Sequence, residues 1–147
     1  MRRSSGFQAP RPLRRRTIGF IGSGTMGQAL MKGLISTGLR PRALMASDPS
    51  AAMRRRAARL GVRVTADNRV AARAADILIL AVKPQEMARV LSELSPRLRA
   101  RQLVISIAAG VTRRALQSRL PGAPIVRVMP NLPATVGSGF SAFAIGR

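Results

Sequence analysis

The sequence contains no cysteine, histidine, tryptophan or tyrosine, and only four of its 147 residues are phenylalanine. Without cysteine and histidine, a disulfide framework, a Cys/His metal site, and thiol or Ser-His-Asp chemistry are excluded. Only five residues are acidic, and they form no paired-carboxylate pattern, so glycoside hydrolysis and a carboxylate metal site have no support. We therefore predict no metal site, and the sequence identifies no catalytic residue.

Long apolar runs are also missing. The longest nearly apolar stretch, Leu103 to Val111, covers nine residues and includes Ser106. A membrane-spanning helix needs about 18 residues or more, so we predict no transmembrane segment and expect a cytoplasmic protein. A chain of 147 residues with 46% hydrophobic side chains suits one ordinary domain with its own core.

The scarcity of acidic residues leaves a formal net charge of +21, because 26 residues are basic. A strongly basic chain is typical of a nucleic-acid partner. Here, however, 24 of the basic residues are arginines spread from Arg2 to Arg147, and runs such as Arg14 to Arg16 are not interleaved with aromatic residues on which bases stack. We therefore favour solvated, arginine-rich helix faces. No specific nucleic acid and no membrane are predicted as partners, although weak attraction to polyanions follows from the charge.

Residues 1–16 differ from the rest of the chain. They hold six arginines, two prolines, two serines and no acidic residue, without sustained periodicity. Such a segment is predicted to be a basic, disordered extension, and an arginine-rich transit peptide is the alternative. The domain itself is predicted to cover residues 17–147.

From Thr17 onward, short apolar runs alternate with helical patterns. The predicted strands are Thr17–Ile21, Ala43–Ala46, Val62–Val64, Ile77–Val82, Leu103–Ile107, Ile125–Val128 and Gly139–Ile145. The predicted helices between them are Met26–Thr37, Ser50–Leu60, Asn68–Ala75, Gln85–Leu94 and Thr112–Leu120. Strict alternation of this kind predicts a single α/β domain with a doubly wound, mostly parallel sheet.

A glycine motif follows the first predicted strand. Gly22-Ser-Gly-Thr-Met-Gly27 has the spacing G-x-G-x-x-G between a strand and a helix. In a Rossmann-type domain these glycines allow a tight turn, close approach of a pyrophosphate, and close packing of helix on strand. A glycine turn without a ligand is the alternative. Dinucleotide binding is favoured because Asp48 follows Gly27 by 21 residues, where an acidic residue would bind the ribose of an adenosine.

Asp48 also bears on which dinucleotide binds. Its carboxylate would repel a 2′-phosphate, which favours NAD. Ser47 could hydrogen-bond such a phosphate, and Arg54 to Arg56 on the next predicted helix could neutralise one, so NADP or NAD stays open.

Four segments together resemble the pyrroline-5-carboxylate reductase family, in the family's order and spacing. They are IGFIGSGTMG (Ile18–Gly27), ILAVKP (Ile79–Pro84), SIAAGV (Ser106–Val111) and VRVMPNLPATVGSG (Val126–Gly139). The first is shared by many β-hydroxyacid-type dehydrogenases, whereas the last three in combination are far more specific. The resemblance implies a nicotinamide-dependent oxidoreductase that reduces pyrroline-5-carboxylate to proline.

By position, the resemblance implies a set of cofactor-binding residues. The glycine turn would hold the pyrophosphate, Ser47, Asp48 and Asn68 the adenosine side, and the ends of the fourth and fifth strands the nicotinamide half. The full set is Gly22, Ser23, Gly24, Thr25, Met26, Gly27, Ser47, Asp48, Asn68, Ala81, Val82, Lys83, Pro84, Ala108, Ala109 and Gly110. For Lys83, a solvated surface lysine remains the alternative. Asn131 either caps a turn or orients the carboxamide or substrate.

The sequence departs from the family in two ways. Leu132 stands where the family has threonine, and the family continues into a helical domain that forms the dimer and most of the substrate pocket. We therefore expect this chain to be the cofactor-binding half of a homo-oligomeric reductase, to meet the imine only when that second domain is supplied, and to be inactive alone. The alternatives are another β-hydroxyacid-type dehydrogenase domain, or a basic, non-catalytic module that binds polyanions or a partner.

Overall fold

A computed structural model describes residues 8–9, 11–130 and 141–145, and its centre is a seven-stranded sheet in the order β3-β2-β1-β4-β5-β6-β7. The first six strands are parallel, and β7 runs antiparallel to β6. The strands are β1 (Ile18–Ile21), β2 (Leu44–Ser47), β3 (Arg63–Thr65), β4 (Ile77–Leu80), β5 (Leu103–Ser106), β6 (Ile125–Pro130) and β7 (Ser141–Ile145). The predicted doubly wound, mostly parallel sheet is confirmed. Residues 139–140 of the last predicted strand lie outside the described residues.

Helices cover both faces of the sheet. They are α1 (Arg11–Arg14), α2 (Thr25–Ser36), α3 (Ala51–Ala58), α4 (Asn68–Ala74), α5 (Pro84–Leu94) and α6 (Arg113–Arg119), with short 3₁₀ turns at Pro41–Ala43 and Ser95–Arg97. Helices α4, α5 and α6 pack on one face around Leu78, Leu80 and Val104, while α2 and α3 pack on the other around Phe20 and Leu44. None of the helices in the described part of the chain is long and apolar enough to cross a membrane.

Gly19 sets how closely a helix approaches the central strand β1. An ideal Cβ at Gly19 would lie 2.8 Å from Cβ of Ala75 and 3.0 Å from the carbonyl oxygen of Ala71. No side chain fits between β1 and α4 at this point. The close packing fixes the first residue of α4, Asn68, near the carboxyl ends of β1 and β2.

Side-chain caps begin three of the helices. The hydroxyl of Ser50 accepts a hydrogen bond from Met53 N, and that of Thr112 accepts one from Ala115 N. Asp67 begins α4 by accepting from Arg69 N. These caps satisfy backbone N–H groups that the helix leaves without partners, and they place the helix starts within two residues of the predicted ones.

The pKa of Asp67 lies below its ordinary value, because the Arg69 side chain and N–H both donate to the carboxylate. A lowered folded-state pKa means that the charged cap stabilises the fold above the pKa of the unfolded chain. This contribution disappears as the pH falls through the lowered pKa. Acidification therefore loosens the start of α4, where Asn68 lies.

Residues 8–9 and 11–16, the described part of the segment predicted to be an extension, contact the domain. Ala9 is only 3% exposed, and its N–H donates to the carbonyl of Thr37 at 3.0 Å. Leu13, in the short helix α1, packs against the core beside α2.

Gly33 offers a stabilising substitution. It lies inside α2, and an ideal Cβ there meets no atom within 4 Å. Gly33→Ala is expected to raise the free energy of unfolding by about 0.5–1 kcal/mol, because glycine loses more conformational freedom than alanine in a helix. Urea denaturation measures the change. A lower free energy of unfolding would show that the helix cannot accept a methyl group at this position.

Candidate functional site

A cleft of about 480 Å³ opens at the carboxyl ends of β1, β2 and β4. At this point the chain crosses from one side of β1 to the other, which is where open α/β sheets bind ligands. The lining residues are Gly22, Gly24, Asp48, Pro49, Met53, Asn68, Ala81, Val82, Lys83, Glu86, Arg89 and Val90.

Gly22 makes the turn that closes the floor of the cleft. Its φ of +94° is strained for any residue with a side chain, and an ideal Cβ would lie 2.7 Å from the carbonyl oxygen of Ala81. The N–H of Gly22 donates to the carbonyl of Ser47 at 2.8 Å. An ideal Cβ at Gly27 would lie 3.0 Å from the carbonyl oxygen of Gly22, so α2 also packs closely on the turn.

Gly24 presents a bare helix N-terminus to the cleft. It is the N-cap of the 12-residue helix α2, and no side chain caps that helix. An ideal Cβ at Gly24 meets nothing within 4 Å. Free N–H groups, the positive end of the helix dipole and empty space above the backbone together suit an anionic group such as a pyrophosphate.

Asp48 connects the loop after β1 to the loop after β2 at the rim of the cleft. Its Oδ2 accepts hydrogen bonds from Ser23 N at 2.9 Å and Ser23 Oγ at 3.2 Å, and its Oδ1 accepts from Ser50 N at 2.8 Å. A carboxylate offers about four acceptor positions, so most of the capacity of Asp48 is used within the protein. The carboxylate therefore shapes the glycine turn as well as facing the cleft.

Ser47, the last residue of β2, is fully buried, and its Oγ donates to the Asn68 side-chain oxygen at 2.7 Å. Binding of a 2′-phosphate by Ser47 stays a prediction, and it would require the hydroxyl, which has one proton to donate, to exchange Asn68 for the phosphate. The Nη1 of Arg54 donates to the carbonyls of Asp48 and Pro49, which holds the Arg54 guanidinium at the rim of the cleft.

Asn68 connects the end of β2 to α5 at one wall of the cleft. Its amide nitrogen donates to Glu93 Oε2 at 3.1 Å, while its oxygen accepts from Ser47. Arg89 continues this network with an ion pair to Glu86 at 2.7 Å and a longer one to Glu93 at 3.7 Å. Glu86 also raises the pKa of Arg89, which stays charged. The wall of the cleft therefore carries alternating charges held by α5.

The predicted nicotinamide-side residues divide into two groups. Ala81, Val82 and Lys83 line the cleft, and Pro84 begins α5 directly behind them. Ala108, Ala109 and Gly110 follow β5 and do not line it. Ala108 is buried in the core, whereas Gly110 turns the chain at φ +71°. Thr25 and Met26 form the first turn of α2, and Ser23 is buried against Asp48.

Five lining residues were not predicted from the sequence. They are Pro49, Met53, Glu86, Arg89 and Val90. Met53 lies one turn into α3, where the Gln28 amide approaches its sulfur at 3.9 Å. All five lie on the loops and helices that directly follow β2 and β4, and this position was the available signal. No group of three or more acidic residues able to hold a metal ion occurs in the ranges that the structure describes.

The fold and the glycine turn define a Rossmann-type α/β domain. Residues 17–110 match the family described as "NADP oxidoreductase coenzyme F420-dependent". The chain belongs to this family.

Curated relatives support the resemblance seen in the sequence. A pyrroline-5-carboxylate reductase from Methanosarcina acetivorans is 47% identical over 133 residues, which cover 88% of this chain and 49% of the relative. The corresponding protein from Pasteurella multocida is 47% identical, with 86% and 48% covered. The chain thus spans about half the length of these relatives.

Solved structures show the same similarity to pyrroline-5-carboxylate reductases. A pyrroline-5-carboxylate reductase from Coxiella burnetii superposes with a TM-score of 0.85 at 36% identity, covering 89% of this chain and 50% of that one. A Plasmodium falciparum pyrroline carboxylate reductase with NADP bound has a TM-score of 0.78 at 30% identity, with 91% and 49% covered. Similarity to 3-hydroxyisobutyrate dehydrogenase from Mycobacterium tuberculosis, at 21% identity and a TM-score of 0.70, shows the shared fold alone.

Proposed function

We propose that the chain is the cofactor-binding part of an NADPH- or NADH-dependent reductase of pyrroline-5-carboxylate. The observation that carries the proposal is the bare N-terminus of α2 at Gly24, which opens onto the cleft with space for a pyrophosphate. The names of the relatives supply the substrate class. The reduction of the imine is proposed for a protein that contains this chain.

The described residues would bind and orient the cofactor. Gly22 to Gly27 hold the pyrophosphate through backbone N–H groups. Asp48 and Asn68 face the adenosine ribose, and Ala81 to Lys83 lie beside the nicotinamide half. When bound, the reduced nicotinamide supplies a hydride for the electrophilic carbon of the imine. This reaction needs positioning rather than a covalent nucleophile or a metal.

We also propose roles for Ala108 to Gly110, which lie outside the cleft lining, and for Lys83, which is part of it. Ala108 to Gly110 lie at the end of β5, beside β4, and their small side chains would let the nicotinamide half lie against backbone. Lys83 is exposed at the N-cap of α5 and adds positive charge at the same end of the cleft.

Binding of the cofactor tests this proposal directly. The purified 147-residue polypeptide is titrated with NADPH and NADH, and cofactor fluorescence is followed. We expect saturable binding, with a dissociation constant on the order of micromolar to tens of micromolar. Absence of saturable binding would contradict the proposal.

Turnover is measured separately, as oxidation of NADPH in the presence of pyrroline-5-carboxylate. The polypeptide must first be freed of any host reductase. We expect binding with little turnover, because the described cleft supplies a cradle for the cofactor and no enclosed space for a second molecule. Robust turnover would place the substrate site within these residues.

The choice between NADPH and NADH is expected to depend on Asp48. Asp48→Asn removes the charge and keeps one accepting oxygen, so it should relieve repulsion of a 2′-phosphate while Arg54 stays in place. A single interaction at a partly exposed site is worth on the order of 1 kcal/mol, or about five-fold in the NADPH-to-NADH affinity ratio. The ratio cancels any loss that both cofactors share because the turn has loosened. An unchanged ratio would show that the ribose does not lie beside Asp48.

A further inference from the structure

Six arginines meet at the end of the sheet opposite the cleft. Arg11 and Arg14 lie on α1, Arg15 and Arg16 precede β1, and Arg40 and Arg42 precede β2. We call these six residues the arginine surface. They line two adjoining concavities of about 580 and 250 Å³, which share Arg14, Arg15 and Arg40.

The segment that carries four of these arginines is anchored to the domain. The N–H of Ala9 donates to the Thr37 carbonyl, and Arg14 Nε donates back to the Ala9 carbonyl at 3.0 Å. Arg14 also packs beside Gly38, where an ideal Cβ would lie 3.6 Å from its Nη2. Sequence-distant arginines are thus held together by the fold itself, which a solvated helix face does not require.

Positive charge on this surface is almost uncompensated. Within the described residues, the only carboxylate within 4 Å of any of the six guanidinium groups is Asp76, at 3.9 Å from Arg16. Crowded like charges repel each other and destabilise the compact chain. An anion bound between them relieves this repulsion and gains charge-assisted hydrogen bonds from several guanidinium forks.

We propose that the arginine surface binds a linear chain of phosphates, as in inorganic polyphosphate. The two concavities share three arginines and together offer more space than a single phosphate fills, which suits successive phosphates better than a single anion. The other described lining residues are Pro12, Thr17 and Ala43, so among the residues that the structure describes no aromatic side chain is present here to stack on a base. These features favour a phosphate chain over a nucleic acid.

The arginine surface and the cleft share no residue. They lie at opposite ends of the parallel strands, since the arginines precede β1 and β2 whereas the cleft follows them. A phosphate chain on the arginine surface and a cofactor in the cleft should therefore bind together. Failure of either proposal leaves the other standing.

Binding of tripolyphosphate to the 147-residue polypeptide provides the test. The key variant is Arg15→Gln with Arg40→Gln, because both arginines line both concavities and make no described side-chain hydrogen bond. The matched control is Arg113→Gln with Arg114→Gln on α6, which removes the same charge elsewhere. We expect the key variant to bind at least about ten-fold more weakly by calorimetry, and the control to change less than about two-fold. Equal weakening of both variants would show a response to net charge alone, and unchanged binding by the key variant would show that the phosphates bind elsewhere; either result would overturn the proposal.

Two further measurements keep the proposal testable if the key variant folds poorly. Tripolyphosphate should raise the melting temperature of the wild-type chain above that in sodium chloride of equal ionic strength, and it should leave the NADPH titration unchanged. Competition with NADPH would assign the phosphates to the cleft and overturn the proposal. Tighter binding of a single-stranded oligonucleotide with the same number of phosphates would make the partner a nucleic acid instead.

Discussion

Gly24→Val is expected to weaken NADPH binding by at least about 100-fold while the domain stays folded. The valine side chain enters the empty space above the N-terminus of α2, where an ideal Cβ meets no protein atom. It therefore displaces the pyrophosphate without straining the chain. Two or three charge-assisted hydrogen bonds lost at about 1.5–3 kcal/mol each correspond to this change or more.

The measurement combines cofactor fluorescence with thermal unfolding by circular dichroism. Gly33→Ala is the matched control, because Gly33 lies in the same helix and its added methyl group also meets no atom. The control should bind NADPH like the wild-type chain. Equal affinity of Gly24→Val and the wild-type chain would show that no pyrophosphate binds at this turn.

Gly22→Ala is expected to lower the free energy of unfolding by about 2–5 kcal/mol. The positive φ costs about 1–3 kcal/mol for a residue with a side chain, and the clash with the Ala81 carbonyl adds a cost of similar size. Because whole domains are stable by only about 5–15 kcal/mol, this loss threatens folding itself.

Urea denaturation of Gly22→Ala and Gly24→Ala side by side separates the effect of strain at Gly22 from the effect of simply adding a methyl group to the turn. Both variants add one methyl group to the same turn, but only that at Gly22 meets backbone atoms. The first should unfold at a much lower urea concentration or fail to accumulate as soluble protein, and the second should unfold like the wild-type chain. Equal midpoints would mean that the turn relaxes to accept a side chain.

Much of the fold could be predicted from local patterns. Continuous apolar runs such as Ile77–Leu80 mark strands covered on both faces, and the glycine turn marks the start of α2. Such local signals recur along the chain because strands and helices alternate in the fold. The parallel part of the sheet follows from the alternation of strands and helices.

The side chains of the cleft were harder to predict, because their partners are distant in sequence. The role of Ser47 depends on Asn68, and that of Asn68 depends on Glu93. No local pattern reports such pairs. The same limit applies to the arginine surface, where Arg15 and Arg40 come together only after the chain has folded.

Asp48 has a consequence for how fast a cofactor can bind. Its carboxylate joins Ser23 of one loop to Ser50 of the next, so the rim of the cleft is already a single unit before a ligand arrives. If the rim is already in the conformation that binds, nearly all molecules are competent to bind. The apparent affinity is then not lowered by a small competent fraction. We then expect the association rate to be governed mainly by diffusion and by attraction between a dianionic or more highly charged cofactor and a strongly cationic protein.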